Sequence, residues 1–358
     1  MSQTALLLSG GVDSSVALHL LCEQGEKPDL FYIQIGMDGE EFPDCPAEED
    51  LEMVHWLAHK YQCPLQIVSL HKEYWDYVVT YIMETVKKGL TPHPDIMCNR
   101  LIKFGYFNEY WGHNYNRIAT GHYASKAIIN EKHYLATAAD PVKDQTDFLA
   151  QITYPQLLKA HFPLGALPKD KVREIAQQQG LITATRKDSQ GICFLGKVNY
   201  NDFLRKYLGE ENGDIIDNET GLIVGKHKGY WFHTIGQRKG LGLSGGPWFV
   251  VGKNIQTNTL YVSRGYDPDT QYGNIVDMAD MNFITQDPFA GKQEVEVTFK
   301  VRHTPEFTPG ILRKTPLGCT LYSSQKIQGI APGQYCTLYD TQAHLCFGSG
   351  MIIGGRNK

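Results

Sequence analysis

Seven residues near the start, Ser9-Gly10-Gly11-Val12-Asp13-Ser14-Ser15, combine backbone freedom with hydroxyls and a carboxylate. Adjacent glycines let a chain pass close to a bulky anion. The serines offer hydroxyls, and a helix opening there would offer N–H groups with no partner of their own. The chemistry this suits is the cradling of phosphate. The plainer reading is a strand–turn–helix junction capped by serine. The stretch lacks the Gly-Lys-Ser/Thr ending of a Walker A loop and does not fit G-x-G-x-x-G. A second candidate is Thr91-Pro92-His93-Pro94-Asp95-Ile96-Met97-Cys98-Asn99. The prolines on either side of His93 stiffen this loop. Asp95 is expected to cap a helix running toward Tyr110, with Cys98 in its first turn. The helix N-terminus, Arg100 and Lys103 would there favour thiolate. Residue types alone leave Cys98 either a nucleophile or a structural cysteine in a turn. Cys193, between Ile192 and Phe194, reads on spacing as a buried strand cysteine.

Elements must hold these residues in place. Ala5–Leu8, Leu30–Ile35, Pro64–Leu70 and Asn116–Thr120 predict strands. Ser14–Gln24, Ala47–Tyr61 and Lys72–Lys88 predict helices between them. That rhythm predicts an α/β domain, a parallel sheet with helices on both faces. From about residue 145 to 197 the pattern is helical and irregular, with Lys169–Gln179 the clearest helix. Beyond residue 198 glycines cluster, β-branched and aromatic residues alternate, and no convincing helix is predicted. A break near Asp277–Pro288 divides this all-β half into two small modules, the last barrel-like. The expected domains are 1–197, 198–276 and 277–358.

A chain of 358 residues exceeds one ordinary hydrophobic core, in keeping with two or three domains. Its 42% hydrophobic content excludes wholesale disorder. No apolar run approaches the roughly 20 residues of a membrane span. The opening residues carry an apolar stretch only from Ala5 to Leu8 and no basic leader, so the expected compartment is the cytoplasm. The eight cysteines form no C-x-x-C pair, which argues against a zinc ribbon or thioredoxin-like motif. Most are expected to be small buried apolar residues. A net charge of -5 does not advertise a nucleic-acid partner. Residues 220–266, however, hold Lys226, Lys228, Arg238, Lys239, Lys253 and Arg264 and no acid, with Tyr230, Trp231, Phe232 and Trp248 interleaved. That window predicts an RNA-binding face; its plainer reading is a hairpin with solvated lysines.

S-G-G-V-D-S-S resembles the PP-loop signature of the ATP pyrophosphatases, which cut ATP between the α and β phosphates. T-P-x-P-D-I-x-C-N, I-K-F-G, A-T-G-H-Y-A, K-D-Q-x-x-F-L, K-x-x-V-R-x-I-A, K-D-S-x-G-I-C-F and G-Q-R-K-G-L-G-L follow in order. Together these motifs, spread over nearly the whole chain, resemble the tRNA-specific 2-thiouridylases. The resemblance implies a PP-loop, adenine-nucleotide-hydrolase-like first domain, a tRNA-binding second and a β-barrel third. It implies that ATP activates the 2-oxygen of the wobble uridine as an adenylate. A persulfide sulfur then replaces that oxygen, giving 2-thiouridine, AMP and pyrophosphate. It makes Cys98 the nucleophile and Cys193 the persulfide carrier, the two pairing as a disulfide in the cycle. Asp95 becomes a candidate acid/base. Leu7, Leu8, Ser9, Gly10, Gly11, Val12, Asp13, Ser14, Tyr32 and Gly121 match ATP-binding positions, Asp13 helping to hold Mg2+. His93, Pro94 and Asp95 match the stretch meeting the target base. His122, Lys143, Asp144, Gln145, Arg302, His303 and Gln334 match tRNA-contacting positions. A sulfur-donor protein, a cysteine desulfurase or a relay carrier, is the implied partner. Some relatives are proposed to hold an iron–sulfur cluster, for which Cys98, Cys193 and Asp95 are the residues present.

The chain departs from the family pattern at His93 (usually asparagine), Thr146-Asp147 (usually serine-tyrosine) and Gln190 (usually threonine). These departures leave both cysteines and the phosphate loop untouched and point to a paralogue with altered tRNA preference. Two other readings stand beside the leading one: an amide-forming PP-loop ligase using ammonia, and a catalytically silent tRNA-binding protein.

Overall fold

The computed structural model describes residues 3–36, 47–187, 199–264 and 272–357. Strand β1 (Thr4–Leu7) leads into helix α1 (Val12–Glu23), then β2 (Asp29–Gln34), α2 (Ala47–Tyr61) and β3 (Leu65–Ser69). A helical run follows: α3 (His71–Glu73), a π-helical stretch Tyr74–Val79, and α4 (Thr80–Lys87). A second run comprises α5 (Pro94–Met97), the π-helix Cys98–Tyr106 and α6 (Phe107–Tyr110), and leads to β4 (Arg117–Ala119). With the short β7 (Ala160–His161), these strands form a parallel sheet in the order β3-β2-β1-β4-β7. The predicted α/β architecture is therefore present. Side chains alternate across it: Leu6, Leu8, Leu30 and Tyr32 pack with α1 and α2, while Ala5, Leu7, Phe31 and Ile33 face the two helical runs. In this strand order the chain turns left from β1 to β2 and returns to β1's other side at β4. Such a switch point leaves a crevice beyond the strands' carboxyl ends, where ligands bind.

Two features lay outside the sequence expectation. The hairpin β5 (Ser125–Ile129) and β6 (Lys132–Ala136) leaves the parallel sheet and pairs with the last strand of the chain. Between them and the second half lie α7 (Thr146–Leu149), α8 (Tyr154–Lys159) and α9 (Lys169–Gln178). The second half then opens with a helix, α10 (Tyr200–Leu208), where none was expected. Its signal is local: Asn199 caps it by accepting the Asn201 N–H, and Asp202 and Arg205-Lys206 suit its two ends. Phe203 and Leu204 are buried beneath it.

The rest is β, as expected. Strands β8 (Gly213–Asp217), β9 (Ile223–His227), β10 (Trp248–Asn254) and β11 (Thr259–Arg264) form a sheet in the order β10-β11-β8-β9. Its core is Ile215, Trp248, Val250, Leu260 and Val262. Strands β12 (Tyr272–Phe283), β13 (Glu294–Lys300), β14 (Thr308–Thr315), β15 (Gly318–Gln328), β16 (Tyr335–Tyr339) and β17 (Leu345–Arg356) follow. They run β12-β15-β14-β13-β16-β17, and β12 pairs with β17 to close a six-stranded barrel. Closure removes both sheet edges. Among the described residues no helix is long and apolar enough to cross a membrane.

Candidate functional site

The first centre is the crevice at the end of β1. Gly10 takes a left-handed backbone (φ +71°), and Gly11 precedes the first turn of α1. No side chain caps α1, so its leading N–H groups stay available. The Ser14 and Ser15 hydroxyls donate to the Gly11 carbonyl at 3.1 and 2.7 Å, and the Ser9 N–H donates to Ser14 Oγ at 3.2 Å. Gly121, just past β4, presses against this turn: a Cβ there would sit 2.7 Å from the Ser14 nitrogen. The loop is therefore bare backbone on the sides a phosphate would approach, which fits a nucleotide's phosphates. Leu7 and Leu8 anchor its entry in opposite faces of the sheet, and Tyr32 is buried with Leu8 and Val12.

Asp13 stands in the first turn of α1 and is already engaged. Lys169, at the start of α9, donates to its two oxygens at 2.7 and 2.8 Å, and the Tyr123 hydroxyl donates to Oδ1 at 2.7 Å. Arg186 closes over the loop, donating to the Gly10 carbonyl and to Asp50 of α2, both at 2.7 Å. Lys169 and Arg186 were not singled out from sequence. Lys169 heads the quoted K-x-x-V-R-x-I-A motif, which was the signal available. A single carboxylate beside phosphates is enough for Mg2+, which keeps several waters, so Asp13 fits that role once its ammonium partner turns to the phosphates. Among the described residues no group of three His, Cys, Asp or Glu is arranged to hold a metal.

The second centre is the proline-flanked loop. His93, not Asp95, caps α5: its Nδ1 accepts the Ile96 N–H at 3.4 Å. The expectation for Asp95 fails because Pro94 has no N–H to offer as the first helical residue, and the imidazole reaches Ile96 from the position before it. Asp95 sits in the first turn, and Cys98 follows α5 as the first residue of the π-helix, fully buried at 0% exposure. The described cysteines are mostly buried, as expected; Cys22 alone of them is half-buried. Cys193, Gln190 and the segment 188–198 lie outside the described residues.

The barrel reaches back to hold this loop. Gln334 Nε2 donates to the Thr91 and Pro92 carbonyls at 3.3 and 2.7 Å, and the Thr91 N–H donates to the Pro332 carbonyl at 2.9 Å. Gly333 permits the approach; a Cβ on it would lie 2.7 Å from the Thr91 oxygen. The His93 N–H donates to the Tyr81 hydroxyl at 3.1 Å, and its ring meets Phe148 edge-on at 5.6 Å and Tyr335 at 6.3 Å. Burial pushes the His93 imidazole below its ordinary value against the opposing pull of Asp95 and Asp147. His303 stacks on the other side of Phe148 at 4.7 Å and shares a 3.0 Å hydrogen bond with Asp147. Two of the departing residues, His93 and Asp147, therefore belong to one cluster.

The remaining residues matched to tRNA contacts make the following contacts within the protein. Asp144, 1% exposed, accepts from the Ala138 N–H, the Thr146 hydroxyl and Lys300. Gln145 accepts the Tyr123 N–H at 3.0 Å, and the Lys143 N–H donates to Asp140 at 3.1 Å. His122 shares a 2.7 Å hydrogen bond with Thr120, and burial, helped by the Lys103 charge, pushes its imidazole far down. Arg302 gives its guanidinium to the Gly329 and Ile235 carbonyls, both at 3.1 Å, pinning the barrel to the middle sheet. Residues 144–148 thus run from Tyr123, on the Asp13 carboxylate, to Phe148, on the His93 ring.

The profile described as tRNA methyl transferase HUP domain matches residues 2–197. Those described as tRNA methyl transferase PRC-barrel domain and Aminomethyltransferase beta-barrel domain match residues 201–264 and 275–352. The tRNA-specific 2-thiouridylase MnmA of Porphyromonas gingivalis is 61% identical, covering 98% of this chain and 99% of that protein. The namesake from Parabacteroides distasonis is 60% identical over the same shares. The chain belongs to the tRNA-specific 2-thiouridylase family. The Bacteroides fragilis protein called MnmA 2, also 60% identical, covers 97% of the chain. Membership of this family implies use of ATP, and the profile match to residues 2–197 contains the crevice around Ser9–Ser15.

The middle sheet corrects the expected patch. Its six cations are unopposed along the sequence but not in space. Lys226 pairs with Asp214, and Lys228 with Glu210 at 3.0 Å, both acids lying outside the window 220–266. Lys253 is tucked against the Gly89 carbonyl, and Arg264 lies over Trp248 at 4.8 Å. Among the described residues, Arg238, Lys239 and Arg264 are the exposed cations of the window with no carboxylate partner, and of these Arg264 is held over an aromatic ring. Lys239 borders a cleft of about 390 Å³ with Arg205, Phe232, His233 and Gln237.

Proposed function

We propose that this protein thiolates the 2-position of the wobble uridine in tRNA, using ATP, with sulfur from a cysteine persulfide. The observation that carries the reading is the continuous run of contacts from the phosphate cradle through Tyr123 and residues 144–148 to the loop bearing His93, Asp95 and Cys98. Two centres so joined suit a reaction in which one nucleotide activates one base. The profile descriptions name methyl transfer and the relatives name 2-thiolation; the relatives match the chain end to end, which favours thiolation.

In the first step the uridine O2 attacks the α-phosphorus, the α–β bridge breaks, and pyrophosphate leaves. The α1 N-terminus, Gly10 and the Ser9 and Ser14 hydroxyls hold the departing phosphates, and Lys169 turns from Asp13 to meet their charge. Mg2+ held by Asp13 would supply further charge neutralisation there. In the second step sulfur reaches C2 and AMP leaves with the former O2. The terminal sulfur of the Cys193 persulfide supplies two-electron-reduced sulfur only if both thiols are oxidised. Cys98 therefore closes a disulfide with Cys193, and an external thiol reopens it before the next turn. A persulfide-bearing donor protein reloads Cys193. Of the iron–sulfur candidates Cys98, Cys193 and Asp95, Cys193 lies outside the described residues. The cytoplasm is the compartment where such thiols stay reduced.

The test incubates the protein with ATP, Mg2+, a persulfide source and unmodified tRNA, with 2-thiouridine read by mass spectrometry. Cys98→Ser and Cys193→Ser should each abolish product while leaving tRNA binding within about twofold. Ammonia-dependent amidation would instead show a ligase. Tight tRNA binding with no turnover from any donor would show a silent paralogue.

A further inference from the structure

The Asp147–His303 contact has the layout of a carboxylate orienting an imidazole. Asp147, in α7, is buried with its side chain 6% exposed, whereas that of His303, on the turn after β13, is 41% exposed. Asp147 Oδ2 meets His303 Nδ1 at 3.0 Å, and Oδ1 is buried with no hydrogen-bond partner among the described residues. A buried carboxylate so poorly satisfied favours a cation beside it. The imidazole is held twice, by that hydrogen bond and by stacking on Phe148. The cluster adjoins the reaction loop, because Asn99, next to Cys98, donates to the Phe148 carbonyl at 3.0 Å, and Phe148 packs on His93.

We propose that His303, oriented by Asp147, takes the N3 proton of the bound uridine during activation and returns it at the end of the cycle. This rests on the thiolation reading above. The N3–H bond breaks and its electrons flow through C2 to O2, which forms the bond to the α-phosphorus. The proton rests on His303 Nε2. After sulfur displaces AMP, N3 is reprotonated from the same atom, so the couple ends the cycle unchanged. Removing the proton makes O2 a stronger nucleophile, and an imidazole suits this weak acid better than a carboxylate does. Asp147 acts only through His303 and is a positioning residue.

The charged surroundings agree. The Asp147 hydrogen bond and charge raise the His303 imidazole above its ordinary value, with Asp144 adding to this, while partial burial and Lys300 oppose it. Burial holds the neighbouring His93 imidazole below its ordinary value, and the Arg302 guanidinium next door is committed to two carbonyls. As the acceptor, His303 must be neutral, so activity rises with pH through its raised value.

The experiment is single-turnover 2-thiouridine formation, with ATP, tRNA and preloaded persulfide, from about pH 5.5 to pH 8.5. His303→Gln keeps a donor for Asp147 but cannot titrate. It should lower the rate by about 100-fold and abolish the acidic limb, with tRNA affinity within about threefold. Asp147→Asn should shift the limb to lower pH by about one unit. An unchanged limb in His303→Gln would overturn the proposal and leave the pair a tether between barrel and first domain. Weakened tRNA binding with a shallower salt dependence and an intact limb would overturn it in favour of a phosphate contact. Wild-type protein that makes no 2-thiouridine at any pH would overturn the thiolation reading itself, and this step with it.

Discussion

At the residue scale, the pairing of Lys169 with Asp13 is the sharpest feature of the nucleotide site. Both Asp13 oxygens hold the ammonium beside the loop, so it has only to swing to the phosphates when they arrive. Lys169→Met is expected to lower tRNA-dependent pyrophosphate release by about 100-fold. It should cost only about 1–2 kcal/mol of stability, because Tyr123 still serves Asp13 and that carboxylate is partly exposed. Pyrophosphate release and urea unfolding measure the two effects; a large stability loss with unchanged turnover would make Lys169 structural. His93 shows the same economy of residue and role: one ring nitrogen caps the helix while the ring makes edge-type contacts with Phe148 and Tyr335.

At the element scale, the loop ending in Gly89-Leu90-Thr91 is gripped from two sides, by Gln334 of the barrel and by Lys253 of β10, whose Nζ donates to the Gly89 carbonyl at 3.2 Å. Burial pushes Lys253 down to about 8. Its value in the unfolded chain is near 10.4. Between those values the unfolded chain binds more protons, so stability rises with pH across that window, and the full burial penalty applies below it. Lys253→Met is expected to flatten that rise and to gain about 1 kcal/mol near pH 7, with less gain near pH 10. Urea unfolding at several pH values checks this; an unchanged slope would mean that Lys253 is solvated.

At the scale of the whole molecule, charge is distributed by folding rather than by sequence order. Glu210 and Asp214 answer Lys228 and Lys226, and Arg264 lies over Trp248, which leaves Arg238 and Lys239 as the exposed cations of the middle domain with neither an acid nor a ring beside them among the described residues. If that sheet meets tRNA phosphates, Arg238→Ala with Lys239→Ala should reduce the slope of log affinity against log salt by about 1.5–2. Lys226→Ala and Lys228→Ala should change it less, since each also frees an acid. Binding curves at several salt concentrations decide this, and an equal effect of all four would refute the pairing. The barrel completes the architecture: it contacts the first domain through the β6–β17 pairing, through Gln151 on Ser349 and through Lys300 on Asp144.

Local physics made much of this legible in the sequence. Period-two and helical patterns are nearest-neighbour properties, so the parallel sheet and the β-rich second half followed from them. The phosphate loop was legible because its glycines and serines act within one turn. The hairpin β5–β6 was not, because its partner β17 lies more than 200 positions away. Separation in sequence also hid the Lys169–Asp13 pair and the Asp147–His303 couple, each 156 positions apart, and the acids answering Lys226 and Lys228 lie just outside the basic window. Hydrogen bonds and ion pairs act over a few ångströms of space, and only the folded chain decides which residues come that near.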